Sequence, residues 1–164
     1  MGYRAVLQAS PETVQDLEIS ALYRLTDAKA LHDARRYHAA IYVAGLSAEM
    51  YLKTACFFLG GAKPADPVDA LRAALAPRSG RPPLSPSRYE SGHGISFWSD
   101  VIILRRTKRG LPQAPVPFRQ VITNIESDWF IEMRYRPGSA TVGVAARFIT
   151  QVEWLANNHS ELRR

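Results

Sequence analysis

The sequence predicts an all-α protein, a bundle of four main helices with short accessory helices. Apolar residues recur every three to four positions in several long segments, which is the spacing of one buried helix face. No useful run alternates between apolar and polar residues, as a half-buried strand would. Six of the eleven prolines fall between residues 62 and 92, so helical pattern and helix-breaking segments are well separated.

The first predicted helix begins near Ser10. Residues 10–12 read Ser-Pro-Glu, a capping hydroxyl, a proline suited to the first helical position and an acid in the first turn. The helix is expected to end at residues 35–36. Thr26 and Asp27 can also start a helix, so the segment predicts either one helix or two. The apolar stripe consists of Val14, Leu17, Ala21, Leu25, Ala28 and Leu31.

The longest apolar segment, residues 37–61, predicts a helix about 35 Å long that pairs with the first as an antiparallel hairpin. Gly60 and Gly61 are expected to end it. Glu49 and Lys53 are four residues apart in the favourable order, and we expect them on its more solvated face. Four small residues predict a ridge that admits a closely packed helix: Ala40, Ala44, Gly45 and Ala48.

Proline-rich sequence follows, and helical pattern then resumes. Residues 68–76 can form a short helix, residues 77–93 are predicted to be a surface loop, and residues 95–109 are predicted to be helical. The last of these segments ends in Arg-Arg-Thr-Lys-Arg. These cations suit the negative end of a helix dipole, and they can equally bind phosphate.

Two more helices complete the predicted bundle. Residues 118–133 carry the first, whose apolar positions include Phe118, Ile125 and Trp129. The second follows a turn, with Ser139 as its expected cap. Its apolar stripe consists of Val144, Phe148, Val152 and Leu155.

Composition favours an ordinary globular domain over residues 1–164. Apolar residues make up 46% and charged residues 22% of the chain. No apolar run approaches the roughly 18 residues of a membrane span, and the N-terminal residues lack the apolar core of a signal peptide. We therefore expect a cytoplasmic protein that does not enter a membrane. The net charge of +6 is compatible with an anionic partner such as RNA.

The sequence offers no pattern for a metal or a cofactor, and we expect neither. Cys56 is the single cysteine, and its place in an apolar helix indicates a buried small side chain. No phosphate loop, dinucleotide motif or serine-hydrolase elbow occurs. The histidines lack the spacing of metal ligands; they are His32, His38, His93 and His159.

Residues 28–53 carry a family resemblance. They contain Ala-Arg-Arg-Tyr at 34–37, Ala-Gly at 44–45, and Glu49 four residues before Lys53. Trp129 and the Arg-Tyr pair at 134–135 precede the last predicted helix. In these features the chain resembles the HEPN superfamily, small prokaryotic helical bundles often found in toxin–antitoxin and antiviral defence systems. The resemblance implies an up-and-down bundle that forms a homodimer.

The resemblance also raises the question of ribonuclease activity. Active HEPN ribonucleases carry an Arg and a His that are separated by about four to six intervening residues near the start of the last helix, a pair suited to metal-independent RNA cleavage. The corresponding segment here lacks histidine. Arg88 and His93 have the right spacing, but they lie in the proline-rich loop. The resemblance therefore implies a non-catalytic member, and an endoribonuclease that uses Arg88 and His93 is the alternative.

A second group of candidates surrounds the predicted last turn. Arg134, Tyr135 and Arg136 can form an anion-binding corner, in which the arginines hold phosphate and the tyrosine stacks on a base. They can equally be structural turn residues. Arg35 and Arg36 would join such a site only if the fold brings them beside Arg134.

The expected function is that of an RNA-binding, nucleotide-binding or partner-binding component of a defence or toxin–antitoxin system. A plain assembly module is a further alternative. Aromatic content gives a reason besides the resemblance to expect a homodimer or a heteromeric partner, because a four-helix core has little room for so many rings. The rings in question are Tyr42, Tyr51, Phe57, Phe58, Trp98, Trp129, Phe148 and Trp154.

Overall fold

The computed structural model describes residues 12–75, 94–135 and 138–164. Within these ranges every regular element is a helix and no β-strand occurs, so the prediction of an all-α protein is confirmed. The helices pack as a bundle. They are α1 (Val14–Asp33), α2 (Tyr37–Leu59), α3 (Val68–Leu75), α4 (Ile95–Lys108), α5 (Phe118–Asp128), a 3-10 helix (Ile131–Tyr135) and α6 (Val142–Leu162).

Helix α1 is one continuous helix, which answers the question that the sequence leaves open. It begins at Val14, and Ser10, the expected cap, lies outside the described residues. The cap is Thr13, whose hydroxyl accepts a hydrogen bond from the Asp16 N–H at 3.1 Å. The Asp16 carboxylate accepts hydrogen bonds from the Thr13 hydroxyl and, to complete a capping box, from the Thr13 N–H, and both lower the pKa of Asp16.

Helix α2 is the centre of the bundle. Fifteen of its 23 residues are buried, and α1, α4 and α6 pack around it. The expectation that Glu49 and Lys53 face solvent is wrong, because their residues are only 4% and 6% exposed. The Lys53 ammonium donates to the Glu49 carboxylate and lies 5.5 Å from the centre of the Trp98 ring. Each buried charge therefore has a compensating neighbour.

The ridge of small residues on α2 is buried, as predicted. The Ser47 hydroxyl donates to the Ala21 carbonyl of α1 at 2.7 Å, so α1 and α2 form the expected antiparallel hairpin. At Gly45, however, the close neighbour is the Trp129 ring and not a helix. A Cβ atom at Gly45 would lie 2.0 Å from the indole nitrogen, which donates to the Tyr42 carbonyl at 3.1 Å.

Trp129 also explains why the fourth predicted helix is too long. Its backbone is extended, and helix α5 therefore ends at Asp128 instead of continuing to residue 133. Burial of the indole against α2 requires this departure from the helix. The last helix starts later than expected, because Thr141 and not Ser139 caps it by accepting the Val144 N–H.

The bundle accommodates most of its large rings internally. Of the eight rings named above, only Tyr42, Phe58 and Trp154 are half-buried, and the other five are buried. Apolar residues of α2 such as Val43, Leu46 and Met50 stay half-buried, and the homodimer or heteromeric partner stays a prediction. Exposed apolar side chains occur instead on α1, at Ile19 and Leu22 and at the neighbouring Tyr23.

We expect Gly45→Ala to lower the free energy of unfolding by about 1–3 kcal/mol, because a single methyl group displaces the buried Trp129 ring. Urea denaturation measures the change. Gly143→Ala is the matched control, since nothing lies within 4 Å of a Cβ atom there, and it should be neutral or slightly stabilising. Equal stabilities for the two variants would contradict the close approach at Gly45.

Candidate nucleic-acid interface

The turn between α1 and α2 lies beside the 3-10 helix at one end of the bundle. His38, in the first turn of α2, donates from Nε2 to the Met133 carbonyl oxygen over 3.2 Å. Its ring also packs on Gly138, where a Cβ atom would lie 2.1 Å from Nδ1. These contacts place residues 34–36 next to residues 131–135.

We call this end of the bundle the basic corner, defined by Arg35, Arg36, Arg134 and Tyr135. Arg35 and Arg36 are exposed, and Tyr135 is 74% exposed. The backbone of Arg134 belongs to the 3-10 helix, and Arg136 lies outside the described residues. Four of the five residues that the sequence offers as ligand contacts thus belong to the two segments that the His38–Met133 contact joins, and their role as ligand contacts stays a prediction.

Arg35 adopts a left-handed backbone conformation with φ of 59°. The Arg36 N–H donates to the Leu31 carbonyl and the Arg35 N–H to the His32 carbonyl, at 2.8 and 2.9 Å. This is the Schellman motif that ends many helices, and glycine is the usual residue at the position of Arg35. A side chain there costs about 1–2 kcal/mol.

The N-terminus of α2 opens on the same corner. Arg36 is its N-cap and supplies no side-chain acceptor, and the first turn contains no acidic residue. Its first backbone bond to the N-cap runs from the Ala40 N–H to the Arg36 carbonyl. Within the described ranges, the preceding N–H groups of α2 thus lack a capping side chain. Such a helix end attracts anions, and phosphate in particular.

Arg88 and His93, the alternative catalytic pair, lie outside the described residues. The described part of the chain therefore bears on the nuclease alternative only through α6. That helix starts at Val142, and its first turn is Val-Gly-Val-Ala, without a general base.

The basic run at the end of α4 caps two other helices. Arg105 donates to the Cys56 carbonyl near the end of α2 and packs over Gly60. Arg106 donates from Nη1 to three carbonyls at the end of α6, at 2.7–3.0 Å. These two arginines therefore interact with the negative ends of helix dipoles, as expected of cations. The dipoles are those of the neighbouring helices α2 and α6, whereas the sequence pointed to α4.

A second polar cluster surrounds His159, which the sequence analysis does not single out. Nδ1 of His159 lies 3.2 Å from a Glu18 oxygen, and Nε2 lies 2.8 Å from the Thr54 hydroxyl. An acid, an imidazole and a hydroxyl in this order resemble a nucleophile with its base. Thr54 is fully buried, however, and a nucleophile must reach its substrate. The cluster is therefore structural.

Its placement could be anticipated from one signal. His159 follows Leu155 and precedes Leu162 at the spacing of the buried face of α6, so it occupies a core position. Burial lowers the pKa of His159 to about 4, although the Glu18 carboxylate opposes the shift. The neutral ring donates to Glu18 and accepts from Thr54, which satisfies all three groups.

Three other properties were considered for the described residues: metal binding, thiol reactivity and the crossing of a membrane. No group of three His, Cys, Asp or Glu residues is placed there to hold a metal ion. Cys56 is buried, and burial raises its pKa to about 12, so its thiol is unreactive. None of the helices that the structure describes has the length and apolar character needed to cross a bilayer.

Comparisons of the chain with protein-family models, with curated proteins and with solved structures gave no match. The resemblance to the HEPN superfamily therefore depends on the sequence motifs alone. The basic corner contains Arg35, Arg36 and Tyr135, three candidate residues that are exposed in the described structure.

We expect His159 to destabilise the protein as the pH falls. The unfolded imidazole protonates near pH 6.5, whereas the folded protein keeps it neutral until about pH 4. The unfolded state thus takes up the proton first, and the free energy of unfolding should fall by about 2 kcal/mol between pH 7 and pH 5. Urea denaturation across this range measures the slope.

His159→Gln should remove this part of the pH dependence, whatever its effect on stability at pH 7. His32→Gln is the control, because His32 is partly exposed and lies on α1. If both variants kept the slope of the unmodified protein, the buried neutral imidazole would be contradicted.

Proposed function

We propose that this protein is a non-catalytic, HEPN-like helical bundle that binds single-stranded RNA or a nucleotide at the basic corner. The proposal includes a cytoplasmic role in a prokaryotic defence or toxin–antitoxin system, which the sequence resemblance implies. One observation supports it: His38 contacts Met133, so the turn that carries Arg35 and Arg36 and the 3-10 helix that carries Tyr135 meet at one end of the bundle.

The corner combines the two features that single-stranded nucleic acid requires. Exposed arginines and the open N-terminus of α2 attract phosphate, and each phosphate contact releases bound counterions. Tyr135 and Phe130, at 74% and 45% exposure, add aromatic residues to the same segment, and aromatic rings are the groups on which bases stack. Cations contact the phosphates and aromatic rings contact the bases, so binding of single-stranded nucleic acid needs both in one place.

The strained backbone of Arg35 supports a functional reading of the corner. Glycine would adopt a φ of 59° without steric cost, yet the chain carries a long cationic side chain there. Strained residues persist where surrounding structure holds them, and they concentrate at functional sites. An arginine at this position is therefore better explained by a ligand than by folding.

Two features favour binding over cleavage at this corner. The start of α6 supplies no histidine, and His38 is engaged through Nε2 with the Met133 carbonyl and packs on Gly138. An endoribonuclease that uses Arg88 and His93 is the alternative function, and a plain assembly module is another.

A separate observation favours a protein partner, for which we propose a second copy of the chain. Ile19, Leu22 and Tyr23 are 44%, 57% and 66% exposed, and their spacing places them on one face of α1. A cleft of about 390 Å³ between α1 and α6 lies beside this face and is lined in part by Ile19 and Leu22. Two-fold symmetry would bury both apolar faces against each other.

RNA binding is tested with a fluorescent single-stranded oligonucleotide of about 12 nucleotides, by anisotropy at two salt concentrations. Arg35→Gly should weaken binding at least about threefold and lower the salt slope by about 1, because one phosphate contact is lost. The same change should raise the free energy of unfolding by about 1 kcal/mol, since the left-handed strain is relieved.

Lys63→Ala is the matched control, because Lys63 is exposed just beyond the opposite end of α2 and loses the same charge. Equal affinities for Arg35→Gly and Lys63→Ala would contradict binding at the basic corner. Cleavage of the oligonucleotide that disappears in His93→Ala would establish the endoribonuclease instead.

Self-association is tested by sedimentation equilibrium at micromolar concentration. The unmodified chain of 18.3 kDa should sediment as a dimer, and Leu22→Glu should yield a monomer, because the change puts a charge in an apolar interface. Arg24→Glu is the control on another face of α1. A monomeric unmodified protein, or a dimer that tolerates Leu22→Glu, would contradict the second copy.

A further inference from the structure

A cleft that shares no residue with the basic corner lies between α4 and α5. The end of α4, the segment 111–117 and the start of α5 enclose a cleft of about 600 Å³, which is the size of a small-molecule site. Apolar groups form much of its wall, among them Leu111, Pro115 and Phe118. Arg106 and Arg119 also line it, and no carboxylate side chain does so among its described lining residues.

Arg106 is an unusual wall residue, because it is only 4% exposed. Nε donates to the Pro112 carbonyl at 3.0 Å, and Nη1 donates to the carbonyls that end α6. Within the described ranges no acceptor faces Nη2, although a guanidinium carries two N–H groups on that nitrogen. Nη2 is not one of the fully buried side-chain atoms that lack a partner, so it is accessible from the cleft, and an anion there would supply an acceptor.

The N-terminus of α5 adds a second attraction for anions. Its N-cap is Pro117, which has no side-chain acceptor, and its first turn contains no acidic residue. Arg119 and Gln120, both in that first turn, line the cleft. The positive end of the helix dipole therefore faces the same space as Arg106.

We propose that this cleft binds a small organic anion. Its phosphate or carboxylate group would sit between Arg106 and the start of α5, and its apolar body would lie along Leu111 and Pro115. The proposal does not depend on the RNA-binding function, because no residue that lines the cleft belongs to the basic corner. Both acid groups offer the same acceptor oxygens to a guanidinium, and the choice between them is left to the experiment.

Isothermal titration calorimetry of the full chain with two probes separates the two acid groups. Adenosine monophosphate carries phosphate on a ring system, and 4-phenylbutyrate carries carboxylate on an apolar body. At least one should bind about tenfold more tightly than inorganic phosphate and than 4-phenylbutanol, which lack the body and the charge respectively. Equal affinities across the four compounds, or no saturable binding at millimolar concentration, would overturn the proposal.

Variants locate the binding site without disturbing the Arg106 contacts to α6. Arg119→Glu should weaken the better probe at least about fivefold, because it reverses an exposed charge at the cleft. Ala114→Trp should abolish binding by filling the cleft. Arg147→Glu, an equal charge change on the exposed face of α6, should leave affinity unchanged. Binding that survives Ala114→Trp would overturn the proposal.

Discussion

The burial of α2 constrains the rest of the molecule. A helix of 23 residues with 15 of them buried must be covered on nearly all sides, and α1, α4, α6 and the 3-10 helix each take one side. Its polar groups must then find partners inside the protein. Lys53 donates to Glu49, and Thr54 meets His159 at 2.8 Å. The core contains polar residues because the central helix carries both apolar and polar side chains and most of them are buried.

A half-buried stripe runs along the middle of α2 through Val43, Leu46 and Met50, and the two ends of the helix differ from each other. Arg105 complements the C-terminal end through the Cys56 carbonyl, as the dipole favours. The N-terminal end has no acidic complement and instead carries Arg36, with Arg35 next to it. A protein built only for stability would place an acid or a hydroxyl there. The N-terminus of α5 also lacks such a cap, and the adjacent Arg35, Arg36 and Tyr135 are what distinguish this end of α2 as a candidate nucleic-acid site.

Sequence periodicity predicted the helices well, because spacing along the chain reports which side is buried. It misplaced Glu49 and Lys53, since a charged pair can be buried when its members satisfy each other. The predicted α5 was too long, because Trp129 leaves the helix and its ring packs on Gly45. That residue lies 84 positions earlier in the chain. The basic corner likewise depends on a contact between residues 38 and 133, which no local pattern encodes.

Two successive arginines tie together helix ends that are remote in sequence. Arg105 holds the end of α2, and Arg106 holds the end of α6, more than 50 residues away. Fraying of either end would remove acceptors from a guanidinium, which is half-buried at Arg105 and buried at Arg106. The three helix ends therefore form one cooperative unit, and their amide protons should become accessible together. A short basic stretch that looks like a surface feature in the sequence therefore connects the ends of three helices.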